Sequence, residues 1–139
     1  MELVTSTVAN IRGGLATQLK VGSLYTHSTW PGIPTKPCVI VQRCEPEFDQ
    51  TLGPSTVVRY SVELAVLCLA TALIDAQVEL DTYLSPTGTA SLHAAIQADP
   101  TLGGVADSSW IVRVRDAGEM SANGQDVIGA IVDAEVWSS

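Results

Sequence analysis

Val57-Val-Arg-Tyr-Ser-Val-Glu-Leu-Ala-Val-Leu-Cys-Leu69 is the longest strand candidate in the chain, and its reading decides the fold class. In its first half Val58, Tyr60, Val62 and Leu64 project one way, while Val57, Arg59, Ser61 and Glu63 project the other. Side chains alternate along a strand, so this pattern describes a strand with one face in a core and one in water, as antiparallel sheets allow. From Leu64 to Ala70 the polar face disappears, and burial on both sides is expected there.

Upstream lies a second strong strand, Cys38-Val-Ile-Val-Gln-Arg-Cys44. Residues Glu45 to Ser55, with Glu45, Glu47, Asp49, Pro46, Gly53 and Pro54, read as an acidic loop that closes the two strands into an extended hairpin. Thr29 to Pro37 holds Pro31, Gly32, Pro34 and Pro37 and reads as an ordered surface loop. Val21 to Tyr25 is a short strand candidate. From Leu3 to Leu19, Val4, Val8, Ile11, Leu15 and Leu19 recur at steps of three and four, which places them on one helical face. Thr5 or Ser6 is the expected cap. Gly13 and Gly14 each weaken the helix middle by about 1 kcal/mol relative to Ala, so the helix depends on tertiary packing.

Downstream, Thr71 is positioned to cap a helix through about Leu84, with Leu73, Ala76, Leu80 and Leu84 as its apolar stripe. A short helix over Ser91 to Gln97 follows. Trp110 to Arg115 reads as a strand with Trp110, Val112 and Val114 on one face and Ile111, Arg113 and Arg115 on the other. Asp116 to Gln125 reads as a loop containing Gly118, Asn123 and Gly124. The last strand, Asp126 to Trp137, sets Ile128, Ala130, Val132, Ala134 and Val136 against Asp133 and Glu135, with Trp137 on the more polar face. The order predicts a single α+β domain over residues 1–139: an antiparallel or mixed sheet of about four strands, with helices packed on one face.

Composition narrows the function. Of 139 residues, 46% are hydrophobic and only 16% charged, and the net charge is −8. This is a globular composition with a weakly polar surface, of the kind that becomes an interface. The seven basic residues, Arg12, Lys20, Lys36, Arg43, Arg59, Arg113 and Arg115, are scattered along the sequence, which argues against a phosphate-gripping patch. Met1 to Lys20 lacks the basic start and apolar run of a signal peptide, and Val62 to Leu73 is too short for a membrane helix. Cys38, Cys44 and Cys68 read as reduced, buried thiols.

The search for chemistry yields no signature. His27, His93 and the cysteines show no CxxC, HExxH or HxxxH spacing. Cys38 and Cys44 would share a strand face but lie ~20 Å apart at strand rise, too far to ligate one ion. No GxSxG elbow occurs, and Gly13-Gly14 and Gly103-Gly104 match no phosphate loop. Asp75 and Glu79 share a helix face, where a solvated acidic surface is the simpler reading. No catalytic residue, cofactor or metal is assigned.

Several phrases nevertheless resemble a known family. They are Pro37-Cys-Val-Ile-Val41, Ala76-Gln-Val-Glu-Leu-Asp-Thr-Tyr-Leu-Ser-Pro-Thr-Gly-Thr-Ala-Ser-Leu-His93, Ala98-Asp-Pro-Thr-Leu-Gly-Gly-Val-Ala106, and the closing Ile128-Gly-Ala-Ile-Val-Asp-Ala-Glu-Val-Trp137. With the element order, they resemble the tail terminator (tail completion) proteins of long-tailed phages, especially those of actinobacterial hosts. The resemblance implies a virion structural protein, made in the host cytoplasm, that caps the finished tail tube as a six-fold ring. It implies partners in the tube protein, the head-side connector and further copies of the chain, with DNA passing through unbound and with no enzyme activity, cofactor or membrane.

A head-to-tail ring needs two complementary patches on each subunit. Arg113, Arg115, Asp133, Glu135 and Trp137 are candidates for that contact, and Arg113 and Arg115 could equally pair with Asp133 and Glu135 within one subunit. Glu45, Glu47 and Asp49 are candidates for an acidic loop facing the lumen, where negative charge would repel DNA. A head-completion or neck protein is the nearest alternative, and a small-molecule-binding α+β module a more distant one.

Overall fold

The structure, a computed structural model, describes residues 7–21, 24–28, 37–48, 58–69, 73–122 and 125–138. Helix α1 spans Val8–Gln18 and is started by Thr7. The Thr7 hydroxyl accepts from the Asn10 N–H at 3.1 Å, and the Asn10 side-chain oxygen accepts from the Thr7 N–H at 3.0 Å. This reciprocal box moves the cap to Thr7 from the expected Thr5 or Ser6, which lie outside the described residues. Ile11, Leu15 and Leu19 are fully buried, as the helical spacing requires. Gly14 lets the helix approach the short 3-10 turn Leu102–Gly104. A Cβ there would meet Val105 Cγ2 at 2.6 Å and the Leu102 carbonyl at 3.1 Å.

Among the described residues, five strands make one sheet in the order β1-β2-β3-β5-β4: β1 Tyr25–His27, β2 Cys38–Phe48, β3 Val58–Leu69, β4 Ser108–Ala122 and β5 Gln125–Ser138. The sheet is mixed, because β1 pairs parallel with β2 while the other pairings are antiparallel. The extra strand relative to the expected four is a matter of length, since three residues are too few to show a period. It falls at Tyr25–His27 instead of Val21–Tyr25. Arg12 ties α1 to this edge by donating from one nitrogen to the carbonyls of Ser28 and Val41.

The β2–β3 hairpin forms as expected, but β2 does not end at Cys44. Glu45–Phe48 continue it, paired with Ser61, Tyr60, Arg59 and Val58. Pro46 is compatible with a strand here because β1 covers only Cys38–Ile40, which leaves that side of β2 unpaired at Pro46 among the described residues. A bulge at Gln42, between Val41 and Arg43, inserts one residue and reverses the parity. Cys38 and Cys44 therefore lie on opposite faces and do not share one.

The same event occurs in β4. A bulge at Val112 puts Ile111 and Val114 toward the helices, and places Trp110, Arg113 and Arg115 on the open face. This corrects the simple alternation expected for residues 110–115. A second irregularity between Arg115 and Gly118, with Asp116 at φ 55° and Gly118 at φ 146°, carries the strand through most of the expected loop to Ala122.

Helix α2 (Leu73–Leu84) and helix α3 (Leu92–Ala98, capped by the Ser91 hydroxyl) join α1 on one face. Thr71, the expected cap of α2, lies outside the described residues. The core between helices and sheet takes Ile11, Leu15, Leu80, Tyr83, Leu92 and Ile96 from the helices. It takes Tyr60, Val62, Leu64, Val66, Ala130, Val132 and Val136 from the strands. At the far end, Leu64 to Cys68 are all buried, with Ala65 and Leu67 in a second cluster beside Cys38, Ile40 and Val127. The two-sided burial expected there is observed among the described residues.

Candidate functional site

The sheet face opposite the helices carries a dense set of charged side chains, built by strand register. Three rows cross β2, β3, β5 and β4 in turn. The first is Glu47, Arg59, Trp137 and Ser108; the second Glu45, Ser61, Glu135 and Trp110; the third Arg43, Glu63, Asp133 and Arg113. Arg115 follows on β4 opposite Ile131. Four of the seven basic residues, scattered in sequence, thus meet on one surface among five carboxylates. Many of them line a shallow depression of about 280 Å³.

Asp133 is the hub. Its Oδ2 accepts from Arg113 Nε and from Arg115 Nε, each at 2.9 Å. Arg115 also reaches Glu63 at 3.2 Å and Asp116 at 3.0 Å. Partial burial works against the charged form of Asp133, but hydrogen bonds from Arg115 and Arg113 outweigh it and hold the pKa below the ordinary carboxyl value. The Asp133 hydrogen bond raises the Arg115 pKa, with added attraction from Asp133 and Glu63. At the other end, Glu47 pairs with Arg59, and that hydrogen bond lowers the Glu47 pKa.

The aromatic pair sits beside these ions. Trp110 and Trp137 stack with centroids 6.2 Å apart and planes inclined by 24°, and the Arg59 guanidinium lies 5.7 Å from the Trp137 ring centre. Trp137 is half-buried, and its indole nitrogen is buried without a hydrogen-bond partner among the described residues.

The structure therefore brings Arg113, Arg115, Asp133, Glu135 and Trp137 together, with Arg113 and Arg115 paired to Asp133 inside the subunit. Glu45 and Glu47 belong to the same strand face and not to a loop, since β2 extends through them. Asp49 lies outside the described residues. Arg43, Arg59, Glu63 and Trp110 complete the surface and were not singled out from the sequence. The alternation of β3 signals Arg59 and Glu63, whereas the bulges hide Arg43 and Trp110.

The sheet's edges differ from its face. Among the described residues the exposed large apolar side chains are Tyr25, Val78, Trp110, Val112 and Val114, and all but Val78 lie on the edge strands β1 and β4. Val112 is 52% exposed. Among the described residues no three His, Cys, Asp or Glu side chains gather as a metal site, and no helix is long and apolar enough to cross a membrane. Burial pushes the Cys44 thiol up to about 11 and the Cys68 thiol up to about 12, so both stay protonated and poorly nucleophilic at neutral pH.

No protein-family model matches the chain, and neither does any curated protein.

Proposed function

We propose that this protein is a virion structural subunit that closes the completed tail tube of a long-tailed phage as a ring and presents the attachment surface for the head connector. The observation that carries this reading is the outer edge of β4, unpaired among the described residues, on a 15-residue strand with exposed Trp110, Val112 and Val114. Unpaired backbone beside apolar side chains is a surface suited to another protein chain. The tail-specific part of the proposal rests on the sequence phrases and element order that resemble tail terminators.

The charged face fits passage of DNA without capture. Phosphates are held by clustered guanidinium groups. On this face Arg113 and Arg115 are already committed to Asp133 and Glu63, and Arg59 to Glu47. Four arginines among five carboxylates offer no net attraction to a polyanion. The role proposed is one of assembly, without catalysis or cofactor, at the head–tail junction of the particle.

The test is tail length, measured by electron microscopy in lysates of a phage carrying this gene with a stop codon at Gln18. Overlong, irregular tubes beside tailless, DNA-filled heads are expected. Normal tails beside heads that have leaked their DNA would overturn termination in favour of head completion, and normal infectious particles would overturn a structural role.

A further inference from the structure

The two edge strands lie on opposite sides of the subunit and run in opposite directions, because β1 and β2 are parallel and each later step across the sheet is antiparallel. We propose that the contact between neighbouring copies joins the β4 edge of one to the β1 edge of the next, with Tyr25 beside Val112. This rests on the ring proposed above and specifies its contact.

Three observations point to a second copy as the occupant. The chain itself supplies both halves of the contact, each an unpaired edge among the described residues. Apolar exposure concentrates on both: Tyr25 at 53% on β1, and Trp110, Val112 and Val114 on β4. Copies related by rotation about an axis along the strands keep their strand directions, so β4 meets its neighbour's β1 antiparallel, and the sheet continues with its helices on one side. Two different patches per subunit make the contact heterologous, the type that generates closed rings.

The β4 bulges set the scale of the contact. They interrupt the strand at Val112 and again between Arg115 and Gly118, leaving short regular runs on either side of each. A three-residue β1 matches such a run. Bulges and edge charges suppress indiscriminate pairing, so the edge is selective for a short partner strand. The intrasubunit pairing of Arg113 and Arg115 with Asp133 fits the same picture, with apolar side chains and backbone carrying the contact.

Disulfide trapping tests it. Two variants, Tyr25→Cys and Val112→Cys, place new thiols on exposed side chains, while Cys38, Cys44 and Cys68 are buried. The full-length variants, checked for native circular dichroism, are mixed and oxidised, and the linked pairs are identified by mass spectrometry. The 25–112 disulfide is expected at roughly tenfold over random pairing, since a contact holds the two thiols at high effective concentration. Random pairing would overturn the proposal, as would an excess of 112–112 links, which would mean a two-fold β4–β4 contact. Random pairing together with overlong tails in the position-18 stop phage would remove this contact and leave the tail role standing. Strong 25–112 linkage together with normal tails would do the reverse.

Discussion

Arg115 donates through Nε to Oδ2 of Asp133 at 2.9 Å, across neighbouring strands and 18 residues along the chain. Because Arg113 shares the same acceptor oxygen, Asp133 holds the β4 edge strand to β5 through side chains as well as backbone. The Asp133 pKa is depressed in the folded state, so its stabilising contribution is fully present above the ordinary value of 3.8 and is lost as pH falls through the lower folded value. Asp133→Asn should lower stability by about 1 kcal/mol at pH 7, in the range of a partly exposed ion network. The difference from the parent should shrink as pH drops below that value. Urea titrations at pH 7 and pH 3 measure both effects.

The adjacent glycines of α1 should respond in opposite directions. A Cβ at Gly13 meets nothing within 4 Å, so Gly13→Ala gains helix propensity and should stabilise by about 1 kcal/mol. At Gly14 the same change drives a methyl into Val105 and the Leu102 carbonyl, and overpacking of this kind costs about 1–3 kcal/mol. Thermal denaturation of the two variants should place their midpoints on opposite sides of the parent.

Leu80 is fully buried where α2 meets the sheet. Leu80→Ala should cost about 2–5 kcal/mol, the usual range for a core leucine that leaves a cavity. Val78, two residues before Leu80 on another face of the helix and 61% exposed, should tolerate Val78→Ala within about 0.5 kcal/mol. Chemical denaturation of the pair separates core from surface on one helix.

The thiols provide a probe that is independent of stability changes. Cys38, Cys44 and Cys68 are all buried, and burial holds the Cys44 and Cys68 thiols near 11 and 12. At pH 8 the native protein should react with a thiol reagent such as DTNB only at the rate of unfolding, with all three sites becoming available in denaturant. Rapid labelling of the native protein would contradict the burial of these residues.

What the sequence made legible follows from period. In β3 and β5 one face is wet and one is dry over many residues, so alternation identified Val58, Tyr60 and Val62, and Ile128, Ala130, Val132, Ala134 and Val136, as core residues. The two-sided burial after Leu64 was equally plain, because polar residues stop there. The bulges at Gln42 and Val112 were not legible. Each inserts one residue and moves every later side chain to the opposite face, and neither residue type marks the event. Pro46 and the acidic residues around it resemble a loop. They continue a strand only because the neighbouring β1 is too short to require their backbone hydrogen bonds.

The site divides in the same way. Arg113, Arg115, Asp133, Glu135 and Trp137 stood out as charged or aromatic positions on strands, and they do share a surface. Their intrasubunit pairing, and the addition of Arg43, Arg59 and Glu63 from the distant hairpin, depend on strand register, which local sequence does not specify. The exposed edges carry no motif, since Trp110, Val112 and Val114 look like core residues until the strand order places β4 at the margin.

The most direct test of the proposed role is a cryo-electron-microscopy reconstruction of the head–tail junction in a phage that encodes this chain. The expected result is a ring of copies of this fold between the last turn of the tail tube and the connector, with neighbouring sheets joined edge to edge. A junction fully occupied by other proteins, with this chain elsewhere in the particle or absent from it, would contradict the tail-terminator role.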